Sequence, residues 1–293
     1  MLRSLIKTMR PKQWAKNVFV FAGIFFDGRL GDPARLLASV AAFVVFCLVS
    51  SAIYLINDLV DMERDRLHPV KRTRPLASGA LKPQVAIFAA IVLLVVCIPG
   101  ALALQFTFGI VTVLYALIMV CYSFYLKKIV IVDVMTIAAG FVLRVFAGAA
   151  VVRVTRFSPW LYVCTTLLAL FIALNRRRHE LALLAENANH HRSSLQEYNL
   201  AFLDNMTSLV TATALAAYSF YTFSAPNLPK NHTMMLTIPF VMYGIFRYLY
   251  LIHVRNLGGT PEDIVLHDKP LLIALALWAL TAGIVLYLPM LLS

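Results

Sequence analysis

Charged residues are scarce in this sequence. Asp, Glu, Lys and Arg make up 14% of its 293 residues, against 61% hydrophobic, whereas a soluble domain carries roughly 25% charged residues. That excludes a water-soluble fold, and the bilayer must act as solvent for much of the chain. Cysteine is sparse too: Cys47, Cys97, Cys121 and Cys164 lie inside apolar runs, and none belongs to a CxxC pair. Structural zinc and a disulfide framework are thereby disfavoured, and four buried, inert thiols are expected. No internal repeat or low-complexity linker interrupts the chain, so residues 1–293 read as one membrane domain. The basic N-terminus (Arg3, Lys7, Arg10, Lys12, Lys16) runs into Trp14–Phe26 without a small-residue cleavage site, which argues against a removable signal peptide.

What is present is long apolar runs. A transmembrane helix needs about 20 mostly apolar residues, and nine candidate spans lie near 14–27, 36–56, 84–104, 107–126, 130–150, 159–177, 200–222, 234–254 and 271–291. The first is the weakest, being short and flanked by Lys16 and Asp27. The fold class expected is all-α and polytopic. With the N-terminus inside, twenty Lys/Arg fall on the cytosolic side and five on the other, with Arg144 inside a span; the positive-inside rule fixes that orientation. Most acids share the cytosolic side. The net charge of +12 is therefore topological, and no nucleic-acid partner is expected.

The segment after the second span reads Asn57-Asp58-Leu-Val-Asp61-Met-Glu63-Arg64-Asp65. Asn57, Asp58, Asp61 and Asp65 fall mostly on one face of a helix leaving the membrane. Carboxylates this close repel unless a cation neutralises them, and Mg²⁺ is the natural choice because it is shared between carboxylates and substrate phosphates. Asp58, Asp61 and Asp65 are the expected metal ligands, with Asn57 ligating or orienting. The sign then changes abruptly in His68-Pro69-Val70-Lys71-Arg72-Thr73-Arg74-Pro75, where Lys71, Arg72 and Arg74 suit phosphate oxygens. An ordinary charged loop is the bland alternative.

NDxxDxxxD followed by HPxKRxRPLASG resembles the first Asp-rich motif of the UbiA superfamily of intramembrane prenyltransferases. The resemblance implies nine helices around a lateral cavity capped by cytosolic loops. Members that prenylate aromatic acceptors carry a second motif, DxxxD, after the sixth helix; here the chain reads Asn175-Arg176-Arg177-Arg178-His179-Glu180, an anion site rather than a metal site. Together with RPKQWAKN, GFVLRVFAG and GGTPEDIVLHDKPL, this resembles the branch that moves phosphoribose from phosphoribosyl pyrophosphate (PRPP) onto a polyprenyl phosphate. That likeness implies Mg²⁺ as cofactor, PRPP and a lipid phosphate as substrates, a role in cell-wall arabinan precursor synthesis, and a bacterial plasma membrane with a cytosolic active site.

Under that reading Asn57, Asp58 and Asp61 are catalytic and Asp65 assists. Lys71, Arg72 and Arg74 take the diphosphate, and Lys127, with Tyr122 nearby, takes the 5-phosphate or the lipid phosphate. Arg177, His179 and Glu180 form a second wall, with Glu180 on ribose hydroxyls. Lys16 and Asn17 reach the site from the first helix, although Lys16 would equally snorkel to the interface. Arg144 lies deep in a span, where an ionised group is costly and usually functional; pairing with Asp133 is its alternative. His190 and His191 read as solvated surface, Trp14, Trp160 and Trp278 as interface anchors, and Gly140, Ala147 and Gly148 as small packing residues. Asp263 and Asp268 either support a cap or terminate helices. Two other functions compete: an aromatic or quinone prenyltransferase, and an anion transporter. A homo-oligomer is left open, since one chain does not reveal its oligomeric state.

Overall fold

The computed structural model describes residues 1–68, 70–154, 158–184, 195, 197–226, 228–255, 257 and 261–292, and among them all regular structure is helical. The helices are α1 (Leu2–Met9), α2 (Ala22–Phe26), α3 (Pro33–Val60), α4 (Met62–Leu67), α5 (Pro83–Leu104), α6 (Phe106–Phe124), α7 (Val132–Val151), α8 (Pro159–Leu184), α9 (Leu200–Ser224), α10 (Ile238–His253), α11 (Pro261–His267) and α12 (Lys269–Leu292). Among the described residues, eight helices are long and apolar enough to cross a membrane. Eight of the nine expected spans are thus present.

The exception is residues 14–27. The chain there is a 3₁₀ helix over Pro11–Phe21, continued by the five-residue α2. Eleven 3₁₀ residues and five α residues rise about 30 Å in total, close to the thickness of a hydrocarbon core. The segment is tightly wound because its backbone lies directly on α7. A Cβ on Gly148 would stand 1.8 Å from Val20 O, and one on Gly23 would stand 2.7 Å from Ala149 N. Gly148→Ala is expected to cost about 2–3 kcal/mol through overpacking, read as a lower melting temperature in detergent. Gly100→Ala, where nothing lies within 4 Å, should cost nothing.

The described residues divide into two compact units, residues 1–25 with those of 29–154, and residues 26–28 with those of 158–184 and 195–292. The first has a core of Val20, Ile24, Phe46, Val49, Phe108, Val111, Tyr115 and Val151. A smaller cluster, Ala52, Leu55, Leu76, Leu81, Ala86 and Ala90, pins the loop after α4 onto α3 and α5. In the second unit Tyr218 Oη accepts from Trp278 Nε1 at 2.7 Å and meets Thr237 Oγ1 at 2.6 Å, tying three spans together. Trp278 is therefore bonded inside the protein, as is Trp14, which donates to Ser51 Oγ at 3.0 Å. Cys47 and Cys97 are buried as expected, but Cys121 is exposed and Cys164 half-buried: both sit on spanning helices, where an apolar run can face lipid as readily as a core.

Candidate functional site: an ion-paired aspartate cluster

α3 leads to Asp61 (φ −90°, ψ −1°), which joins it to α4. The Asp61 N–H donates to Asn57 O and the Asp65 N–H to Asp61 O, at 3.0 and 2.8 Å, so the helical ladder continues and the acids keep their common face. Asp58, Asp61 and Asp65 are only 3%, 9% and 4% exposed. Carboxylates so enclosed need partners, and each has one. Arg10 Nη2 lies 2.5 Å from Asp58 Oδ1; Arg74 Nη1 lies 3.2 Å from the same oxygen and 2.7 Å from Asp65 Oδ2. Lys127 Nζ lies 2.6 Å from Asp61 Oδ1 and 3.3 Å from Asn57 Oδ1, and Asn57 Nδ2 donates to Asp61 Oδ2 at 3.3 Å.

Local chain geometry delivers each cation. Arg10 has left-handed backbone (φ 55°) between α1 and the 3₁₀ segment, and its guanidinium rests 5.0 Å over the Tyr54 ring. Arg74 opens a loop anchored by Leu76 and Leu81, each 1% exposed. Gly79 turns that loop at φ +78°, a conformation that favours glycine. His68 Nδ1 accepts from the Val70 and Lys71 N–H groups at 3.1 and 3.2 Å, ordering the basic run; Lys71 is half-buried and Arg72 exposed. Lys127 sits on the 3₁₀ turn Leu126–Lys128. Next to it Ile131 takes φ 68°, ψ −47°, with Val132 N–H donating to Val130 O at 2.8 Å. This is a γ-turn centred on a β-branched residue, a strained arrangement.

Among the described residues no three acidic, imidazole or thiol groups converge as a metal cage. Asp58, Asp61 and Asp65, the expected ligands, each stand in an ion pair. The donor chemistry still fits Mg²⁺: every ligating atom is oxygen, with no soft ligand in the cluster, and Asp61 Oδ1 and Asn57 Oδ1 already converge on one cationic nitrogen. Arg10 is the residue that the sequence reading missed, because nothing in RPKQWAKN signals a partner 48 residues away.

Deeper in this unit, Arg144 is 5% exposed. It donates to Asn17 Oδ1 (2.7 Å), Gly140 O (2.8 Å) and Tyr115 Oη (2.7 Å) and lies 4.7 Å over the Tyr115 ring. Asp133, the alternative partner, is not among its contacts, being eleven residues and about three turns away on α7. Asn17, fully buried, donates to Cys47 Sγ and Ser50 Oγ, both at 3.3 Å. Asn17 and Arg144 thus spend these groups on one another and on neighbouring helices. Lys16 and Tyr122 are half-buried.

In the second unit α8 carries Asn175–Glu180. Arg177 is 2% exposed and pairs closely with Glu180 Oε2, while Arg176 Nε lies 3.3 Å from Glu180 Oε1. Both oxygens expected to meet ribose are held by arginine. Arg178 Nε lies 2.5 Å from Asp204 Oδ1, which stands 4.0 Å from His253 Nδ1; Asp204, a lone acid in the first turns of α9, was not foreseen. His179 is half-buried. Asn175 is fully buried, and its Oδ1 has no hydrogen-bond partner among the described residues. Glu186, His190 and His191 lie outside the described residues, as does the side chain of Asp263.

Asp268 caps the start of α12. It accepts from Leu271 N–H at 2.9 Å and takes Arg247 through both oxygens at 3.1 and 2.8 Å. The hydrogen bond from Arg247 holds its carboxyl below the usual carboxylate range. A lowered folded-state pKa stabilises above the unfolded pKa, and the effect fades as pH falls through the folded one. Asp268→Asn, which keeps the cap, should lower the melting temperature at pH 7, by an amount that shrinks as pH falls below about 4.

Curated relatives agree along nearly the whole chain. Decaprenyl-phosphate phosphoribosyltransferase of Mycobacterium tuberculosis (strain H37Rv) is 32% identical over 287 residues, covering 97% of this chain and 94% of that one. The protein of the same description from Mycolicibacterium smegmatis is 33% identical over 300 residues, covering 98% and 93%. In fold, the chain is similar to a UbiA homolog from Archaeoglobus fulgidus, solved with GPP and Mg²⁺, at a TM-score of 0.73 with 18% identity and coverage of 97% and 99%. Residues 17–257 match the UbiA prenyltransferase family; with eight helices long and apolar enough to cross a membrane among the described residues and the ion-paired aspartates where α3 meets α4, the chain belongs to that family and is an integral membrane protein.

Proposed function

We propose that the protein transfers the 5-phosphoribosyl group of PRPP to a polyprenyl phosphate, releasing diphosphate, on the cytosolic face of a bacterial plasma membrane. The observation that carries this reading is the Asn175–Glu180 stretch of α8. Three arginines share it with one carboxylate, and Arg176 and Arg177 engage that carboxylate. A basic segment suits a donor and an acceptor that both bear phosphates. A prenyl-to-aromatic reaction would call for a second acidic pair there. The curated relatives' description supports the same choice.

Asn57, Asp58, Asp61 and Asp65 would hold Mg²⁺ through oxygen. Bound there, the ion would neutralise charge on the departing diphosphate. Arg10, Arg74 and Lys127, which now balance the aspartates, can turn to the diphosphate and 5-phosphate, with Lys71 and Arg72 adding charge from the loop. As the C1–O bond breaks, its electron pair leaves with diphosphate and C1 gains oxocarbenium character; an acceptor phosphate oxygen then bonds to C1 from the opposite face. That oxygen is already anionic, so no general base is required. Catalysis is positioning and electrostatics.

The test is transfer by purified protein from two donor–acceptor pairs: labelled PRPP with decaprenyl phosphate, and a polyprenyl diphosphate with 4-hydroxybenzoate. Label should enter lipid only with the first pair, stop with EDTA and return with Mg²⁺. Prenylated 4-hydroxybenzoate alone would overturn the reading.

A further inference from the structure

Lys127 is placed unlike the other cations of the cluster. Arg10 and Arg74 are part-exposed, with side chains 25% and 27% accessible, while that of Lys127 is 1% accessible. Its Nζ sits between Asp61 Oδ1 and Asn57 Oδ1, the two convergent oxygens that suit a hard divalent ion. An ammonium and a divalent cation cannot share those oxygens, since the two charges would repel at a few ångströms with little water between them. The lysine is also carried on a short turn beside the strained γ-turn at Ile131. Strain of this kind persists only where the surroundings hold it, and it is found where segments switch. Formal charge points the same way. The three aspartates are balanced by Arg10, Arg74 and Lys127, so the cluster is neutral before any ion arrives.

We infer that Lys127 is a resident counter-ion: it fills the position of the divalent ion at Asn57 and Asp61 in the metal-free protein and must leave when the ion binds. This rests on the metal reading given above and extends it. Because a released ammonium needs a new anion, the ion would bind weakly alone and better when a phosphate-bearing substrate receives the lysine. Metal and polyphosphate would then enter together, and an idle enzyme would hold no tightly bound ion.

The role separates cleanly from that of a lysine that only contacts substrate. Mn²⁺ binding to the full-length protein in detergent, without substrate, should tighten at least tenfold in Lys127→Met, while Lys127→Arg should bind like the wild type. The wild type supplies a second arm, in case the methionine variant does not fold. Acylation of Lys127, followed by mass spectrometry, should speed up several-fold when Mn²⁺ is added, because the amine leaves its buried pair. Equal or weaker Mn²⁺ binding in a folded Lys127→Met, or acylation indifferent to Mn²⁺, overturns the counter-ion role and leaves the metal site standing. Mn²⁺ that binds none of the three proteins overturns both.

Discussion

Asp61→Ala is expected to lower kcat/KM for phosphoribosyl transfer by about 10³-fold or more, the scale of losing a group that stabilises transition-state charge. Asp61 lies where α3 meets α4, with one oxygen on Lys127 and the other on Asn57. Removing its carboxylate takes away an oxygen donor for the metal and at the same time frees Lys127 from its partner. Asp61→Asn keeps the shape and one oxygen, so it should fold better than Asp61→Ala and lose nearly as much rate. Steady-state transfer kinetics at saturating Mg²⁺ decide it. Loss of rate in Asp61→Ala alone, with Asp61→Asn active, would assign the residue a packing role.

Arg144→Ala should be the most destabilising substitution in the first unit. It leaves Asn17 Oδ1 and Tyr115 Oη without this donor, removes the second bond to Gly140 O, and opens a void beside the Tyr115 and Phe141 rings. Each orphaned buried acceptor costs about 1–3 kcal/mol, and a cavity adds to it. A loss of about 3–5 kcal/mol corresponds to a melting temperature roughly 10 °C lower. The mechanism is loss of the strap that ties the 3₁₀ segment to α6 and α7, so Asn17→Ala should show a smaller effect of the same kind. An unchanged melting temperature with lost activity would place Arg144 on substrate instead.

Much of this was legible in the sequence, for particular reasons. Eight spans could be read because a lipid-facing helix has to be apolar along its whole length. The remaining one, near 14–27, reads as the weakest span, but its 3₁₀ winding was not legible: it accompanies the backbone contact with α7 at Gly148, and hydropathy carries no trace of it. Helical spacing was enough to put Asn57, Asp58, Asp61 and Asp65 on one face. Which cation meets which acid was not legible: Arg10–Asp58 and Lys127–Asp61 join residues 48 and 66 positions apart, and sequence spacing is silent at that range. The burial of Arg144 was foreseen, but its partners were not, since Asp133 is the only nearby charge on its own helix and Asn17 comes from another.

The central claim is the reaction, and the most direct measurement is the mass of the lipid product. Purified protein in detergent would be given PRPP, decaprenyl phosphate and Mg²⁺, and the lipid extract examined by mass spectrometry alongside released diphosphate. The account predicts decaprenyl phosphate heavier by one phosphoribosyl group, formed one-to-one with diphosphate and absent with Asp61→Ala. Unchanged decaprenyl phosphate, from folded protein that turns over another donor, would contradict it.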